Sequence, residues 1–171
     1  MPRYYKYRRA YKRVYPRKRW ASNMLTRNTL VTLANAEKGA SATETLCINS
    51  TQTTTPTPVM IKFGRVKVKG DVRTDVDSNN NYVSGIMYVV FCPQGMTIDS
   101  FLIDNHPEYI LGWTQISLDS GNTFSFSSSL KRNLNSGDKI GILFQINSVN
   151  AVQAVRNFNF YYTCQFWTTS A

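Results

Sequence analysis

Residues 156–168 read RNFNFYYTCQFWT, and their periodicity decides the fold class. Successive side chains of an extended chain point to opposite faces. Tyr162, Cys164 and Phe166 therefore share one face, with Tyr161, Gln165 and Trp167 on the other. Aromatic rings suit a pleated, packed surface. Because they occur on both sides, the segment is expected to be a strand covered on both faces.

The same two-residue period recurs upstream. In KFGRVKVKG (62–70), Phe63, Val66 and Val68 contrast with Lys62, Arg65, Lys67 and Lys69, with a slip at Gly64-Arg65 that predicts a bulge. NTFSFSSSL (122–130) places Phe124 and Phe126 on one side. Eight strands are expected, over 24–34, 42–50, 58–70, 82–92, 108–116, 122–130, 138–147 and 156–168. The connections are rich in turn-forming residues, and SVNAVQAV (148–155) fits one helical turn at most. Eight strands without intervening helices exclude a βαβ sheet. They predict an all-β, antiparallel sandwich or barrel.

The chain has 171 residues, of which 42% are hydrophobic and 13% aromatic, enough for a core. Its net charge of +10 is concentrated at one end. Residues 1–27 hold Arg3, Lys6, Arg8, Arg9, Lys12, Arg13, Arg17, Lys18, Arg19 and Arg27 without one acid. The first acid is Glu37, and residues 28–171 carry ten cations and ten acids, 10 − 10 = 0. The expected organisation is a basic, Tyr-rich arm over 1–23 and a neutral body over 24–171.

Catalysis has little to stand on. His106 is the one histidine, which removes paired-His metal sites, and no GxSxG, Walker A or GxGxxG is present. No enzyme activity, metal or cofactor is expected. Cys47, Cys92 and Cys164 are widely spaced and odd in number, so free thiols are expected. No run of about 18 apolar residues exists to insert in a membrane, and the basic N-terminal segment lacks the apolar stretch of a signal peptide. Asn49-Ser50-Thr51 matches the glycosylation sequon by chance on this reading.

The arm carries the chemistry. Ten cations in 27 residues repel one another, so the segment needs a polyanion, whose condensed counterions it would release. Tyr4, Tyr5, Tyr7, Tyr11, Tyr15 and Trp20 are interleaved with the charges. Unstacked bases lie on such rings at about 1–3 kcal/mol each, which favours single strands over duplex. Tyr4, Tyr7, Tyr11, Val14 and Tyr15 also share an arc of roughly 100° on a helix; a helical arm could dock that stripe on protein. YKRVYPRKR (11–19) fits a nuclear import signal as well.

A basic arm followed by eight antiparallel strands resembles a viral coat protein of the single jelly-roll type. YVVFCPQGM (88–96), HPEYILGW (106–113) and SLKRNLNSGDKIGILF (129–144) are similar to segments of capsid proteins from small, circular, Rep-encoding single-stranded DNA viruses, the circovirus-like group. The resemblance implies an eight-stranded jelly-roll sandwich and a homo-oligomeric icosahedral shell, built from about sixty copies in the smallest case. It also implies an internal arm contacting packaged single-stranded DNA, and location in the virion and, during assembly, the host nucleus. The arm departs from the most Arg-dense relatives in using more tyrosine. Coat proteins of satellite RNA viruses share the architecture, and a nonviral jelly-roll module binding nucleic acid or glycan is the reading from another class.

Overall fold

A computed structural model describes residues 19–50, 60–75, 83–119 and 121–170. They form β1 (Ala21–Leu33), β2 (Gly39–Ile48), β3 (Ile61–Thr74), β4 (Val83–Cys92), β5 (Ile110–Ile116), β6 (Thr123–Ser128), β7 (Arg132–Leu134), β8 (Lys139–Ser148) and β9 (Arg156–Ser170). One helix, α1 (Ser100–Asn105), and a 3-10 turn (Pro107–Tyr109) lie between β4 and β5.

One sheet has the order β1-β9-β3-β6, with β7 also on β3, and the other the order β2-β8-β4-β5. All pairings are antiparallel. The pairs are nested: β4 with β5, β3 with β6, β2 with β8, β1 with β9. A long ribbon folded once at residues 93–109 has thus been rolled so that its strand pairs alternate between the sheets. That is a jelly roll.

Each expected strand is present, with ends shifted by a few residues. The expected slip in β3 is a bulge, because its register on β9 shifts between Phe63 and Val66. Three features depart from the sequence reading. A ninth, three-residue strand, β7, extends the β6 side of β3; three residues are too few to show a period. Residues 149–155 take no helical turn, and α1 forms elsewhere. Its start is set by Asp99, whose Oδ1 accepts a hydrogen bond from the Leu102 N–H at 2.7 Å.

The third departure concerns β9. Tyr162, Cys164 and Phe166 are buried together on one face as expected, joined by Phe158 and Phe160, but the described residues cover the opposite face only in part, and Tyr161 is 45% exposed. That face lies beside Lys67 and Lys69 of β3, and among the described residues no element packs over it with a complementary apolar surface.

The core joins the sheets through rings. Phe144 of β8 stacks on Phe160 of β9 at 4.5 Å and 16°, and meets Phe124 edge-on at 6.2 Å and Tyr162 at 5.4 Å. Cys92 and Cys164 are buried and Cys47 half-buried, all three free. Burial pushes the Cys164 thiol up to about 12, so it packs as a small neutral group. A second, smaller cluster lies on the far face of the four-stranded sheet. There Leu102 and Ile103 of α1 cover Val90, Cys92 and Leu143, which explains why β4 and β8 are apolar on both sides.

The SGD turn before β8 is a clamp. Gly137 has φ +82°, a conformation that favours glycine, and its N–H donates to the Asn49 carbonyl at 2.8 Å. The Asp138 carboxylate is buried and accepts from the N–H groups of Asn135 at 2.8 Å and Gln94 at 3.0 Å. It ties the β4–α1 loop to the turn. The buried Asn49 amide donates to the Leu134 carbonyl at 3.0 Å, so this sequon asparagine is a structural group. Asp138→Ala leaves two N–H groups without their acceptor. A loss of about 2–4 kcal/mol is expected in urea unfolding; an unchanged midpoint would show that the clamp does not bear on stability.

Candidate nucleic-acid interface

The two sheets have different outer faces. On the five-stranded sheet, the positions alternating with buried Val68 and Cys164 look outward. They form rows across the strands: Met24, Gln165, Lys67, Ser127; then Thr26, Thr163, Lys69, Ser125; then Asn28, Tyr161, Asp71, Thr123. Neutral hydrogen bonds knit the β1–β9 half, as between the hydroxyls of Thr26 and Thr163 at 3.2 Å and from Gln165 to Ser22 at 3.0 Å. The β3 side carries the charge.

The cations follow the sheets. Strands of the five-stranded sheet hold Arg27, Lys62, Arg65, Lys67, Lys69, Arg73, Arg132 and Arg156 against one acid, Asp71. Strands of the four-stranded sheet hold Lys139 and Glu44. Of the other eight acids, Asp77 is outside the described residues, and the remaining seven lie in α1, the 3-10 turn and the loops. Of the cations, Arg27 faces Glu44 and Arg132 lies over the Phe91 ring of the other sheet, so the charge of the outer face comes chiefly from β3.

Asp71 does little to reduce the charge of this face. Its carboxylate is 2.7 Å from Arg73 Nε, a hydrogen bond and charge that push the exposed guanidinium further up. Arg65, Lys67, Lys69 and Lys131 have no carboxylate within 4.0 Å among the described residues. Arg65 and Lys69 are exposed and Lys62 and Lys67 half-buried.

The arm joins the body on this same face. The Trp20 ring packs against Gly64 in the β3 bulge, where an added Cβ would come within 2.6 Å of it. Lys131 Nζ stands 5.7 Å from the Trp20 ring centroid. Trp20, Gly64, Arg65, Lys131 and Trp167 line a cleft of about 430 Å³. The bulge holds the glycine that admits the ring, and the slip in the KFGRVKVKG pattern is its trace in the sequence.

Of the residues expected to touch nucleic acid, Arg3, Tyr4, Lys6, Tyr7, Arg8, Arg9, Tyr11, Lys12, Arg13, Tyr15, Arg17 and Lys18 lie outside the described residues, as does the helical Tyr stripe. Arg19 is exposed at the arm's root beside Trp20. Arg27 is set apart from them. It alternates with the outward positions of β1 and faces β2, its Nε 3.4 Å from Glu44 Oε1. Sequence reasoning missed Lys131 and the use of Trp167; neither neighbours the arm in the chain.

His106 sits at the opposite side, its Nδ1 3.0 Å from Glu108 and its ring stacked on Tyr109 at 4.9 Å. The exposed Glu108 carboxyl is held below its ordinary value, first by its own backbone N–H and then by His106. Among the described residues no helix is long and apolar enough to cross a membrane.

No family model matches the chain, and no curated protein sequence matches it. Solved structures do. The cryo-EM structure of broad bean stain virus is similar with 13% identity and a TM-score of 0.40, over 86% of this chain and 89% of that one. Decameric BFDV capsid protein is similar with 9% identity and a TM-score of 0.39, over 90% and 99%. Turnip yellow mosaic virus is similar with 14% identity and a TM-score of 0.40, over 90% and 94%.

Proposed function

We propose that the chain is a capsid subunit that self-assembles into a small icosahedral shell and packages single-stranded DNA through its basic N-terminal arm. One observation carries the reading. The root of the arm, at Arg19 and Trp20, and the uncapped cations of β3 lie on the same face of a jelly roll, while α1 covers the other sheet. A shell subunit needs such an inside and outside. The jelly roll also presents strand edges and broad loops that can meet around a closed symmetric assembly.

The magnitudes fit. An arm of about 20 residues reaches up to roughly 70 Å when extended, well clear of its root. About sixty arms with nine cations each bring roughly 540 charges inside, enough to offset much of a genome of about one to two thousand phosphates. The stretch YKRVYPRKR would serve nuclear import before assembly. No catalytic step enters this reading.

The test is expression, electron microscopy and sequencing of whatever copurifies. Closed particles of one size containing single-stranded DNA are expected. A monomer at high concentration, with and without added DNA, would overturn the shell; RNA as the sole cargo would overturn the DNA assignment. Deleting residues 1–18 leaves Trp20 and the cleft in place. Empty particles are the expected product, and full retention of nucleic acid would remove the arm from packaging.

A further inference from the structure

We infer that the cleft between Trp20 and Trp167 is a base-binding site, where one unstacked base of a single-stranded nucleic acid lies against indole while Arg65 and Lys131 hold the flanking phosphates. The inference rests on the packaging reading and places a second, fixed contact at the point where the arm meets the body.

Four observations converge. The cleft, at about 430 Å³, is within the roughly 300–1,000 Å³ range of sites that accept small planar groups. Its apolar walls are tryptophan rings left partly open on a polar sheet face, with Trp20 38% exposed. Neither ring belongs to the buried core clusters, and their neighbours on this face are mostly polar. The polar members at its mouth, Arg65 and Lys131, are both cations without a carboxylate partner among the described residues, so the rim complements an anion. Finally, Trp20 is positioned before any ligand arrives. Gly64 admits its ring against the backbone, and Lys131 lies 5.7 Å from its centroid. A preset ring loses little freedom when a base stacks on it.

A base that stacks on Trp20 would displace the Lys131 ammonium from the ring and leave it to hold a phosphate. Aromatic stacking is indifferent to base identity, since every base has a π-face. The site would thus grip single strands of any sequence at the place where each strand leaves the arm. Duplex is excluded, because its bases are already stacked. From the cleft, half-buried Lys67 and exposed Lys69 continue along β3 as the next outward charges.

The experiment uses the full chain with Trp113→Phe, which silences the tryptophan on the opposite sheet. Two fluorescently tagged probes of equal length are compared by anisotropy and by quenching of the remaining indoles: oligothymidylate and an abasic oligomer with the same phosphates. Both are expected to bind, but only oligothymidylate should quench. Trp167→Leu and, separately, Trp20→Leu should weaken oligothymidylate about fivefold or more and leave the abasic oligomer unchanged. Circular dichroism melting checks that each variant is folded, and the two variants guard against failure of either one. Equal binding of both oligomers without quenching would overturn the cleft site while leaving the arm's phosphate contacts intact. Binding of neither would overturn the packaging reading with it. Indoles already quenched without DNA, and released by deleting residues 1–18, would show that the arm itself fills the cleft, and would also overturn the inference.

Discussion

Phe144→Ala is expected to lower the unfolding free energy by about 3–5 kcal/mol and to abolish particle formation at 37 °C. Phe144 is fully buried and is the ring through which the four-stranded sheet enters the aromatic cluster of the other sheet. Removing it costs the transfer energy of the ring and leaves a cavity bounded by Phe124, Phe160 and Tyr162. Those three are anchored on β6 and β9, strands held by ladders on the far sheet, so they cannot all move inward to fill it. Domains of this size have about 5–15 kcal/mol in total, so the remainder is marginal. Phe144→Leu keeps most of the volume and should cost about half as much or less. Trp113→Ala, on an exposed outer position, should change stability by about 0.5 kcal/mol or less. Urea unfolding checks all three. A Phe144→Ala loss below about 1 kcal/mol would mean that the sheets do not meet through this ring.

Much of the fold is legible because strand alternation is a local property. RNFNFYYTCQFWT names its inward residues without help from any neighbour, and the Gly64-Arg65 slip marks a bulge in the same way. What depended on distant partners was not legible. The outer face of β9 carries rings and was expected to be covered, yet whether anything covers it depends on what else the chain has to place there. α1 went instead to the four-stranded sheet, where Val90, Cys92 and Leu143 required it. A six-residue helix also shows less than two turns of its period, so its own residues could not announce it.

The candidate site divides in the same manner. The arm's charge and tyrosines are plain in the sequence because they are contiguous. The equality of ten cations and ten acids in the body is equally plain, but it conceals their separation. The cations lie mostly in strands of one sheet and the acids mostly in loops, and only the strand order β1-β9-β3-β6 turns that into a basic face. Trp20 and Trp167 are 147 positions apart, and only the pairing of β1 with β9 and the bulge in β3 bring them to one cleft. Arg27, contiguous with the arm's cations, shows the converse. Strand alternation turns it away to Glu44.

The second large effect concerns the charge of the arm. Replacing Arg3, Lys6, Arg8, Arg9, Lys12, Arg13, Arg17 and Lys18 by glutamine is expected to empty the particles and to flatten the salt dependence of binding to a single-stranded oligomer. For single strands, log affinity falls with log salt at about 0.7 per neutralised phosphate, so these eight contacts contribute about −5 to −6 to the slope. Between about 50 and about 200 mM salt they alone should account for a loss of roughly 10³-fold in affinity. The substituted chain keeps only the cations of Arg19, Arg65, Lys67, Lys69 and Lys131 near the arm's root, and its slope should be shallower than that of the unaltered chain by about 5 to 6. Replacing Tyr4, Tyr5, Tyr7, Tyr11 and Tyr15 by leucine makes the opposite cut. Charge is unchanged, so the slope should stay that of the unaltered chain, while preference for single strands over duplex falls. If the leucine chain instead misassembles with its single-strand preference intact, the tyrosines dock on protein rather than on bases. A slope unchanged by the eight glutamines would show that these side chains do not meet phosphate, and packaging would then fall to the β3 face and the cleft alone.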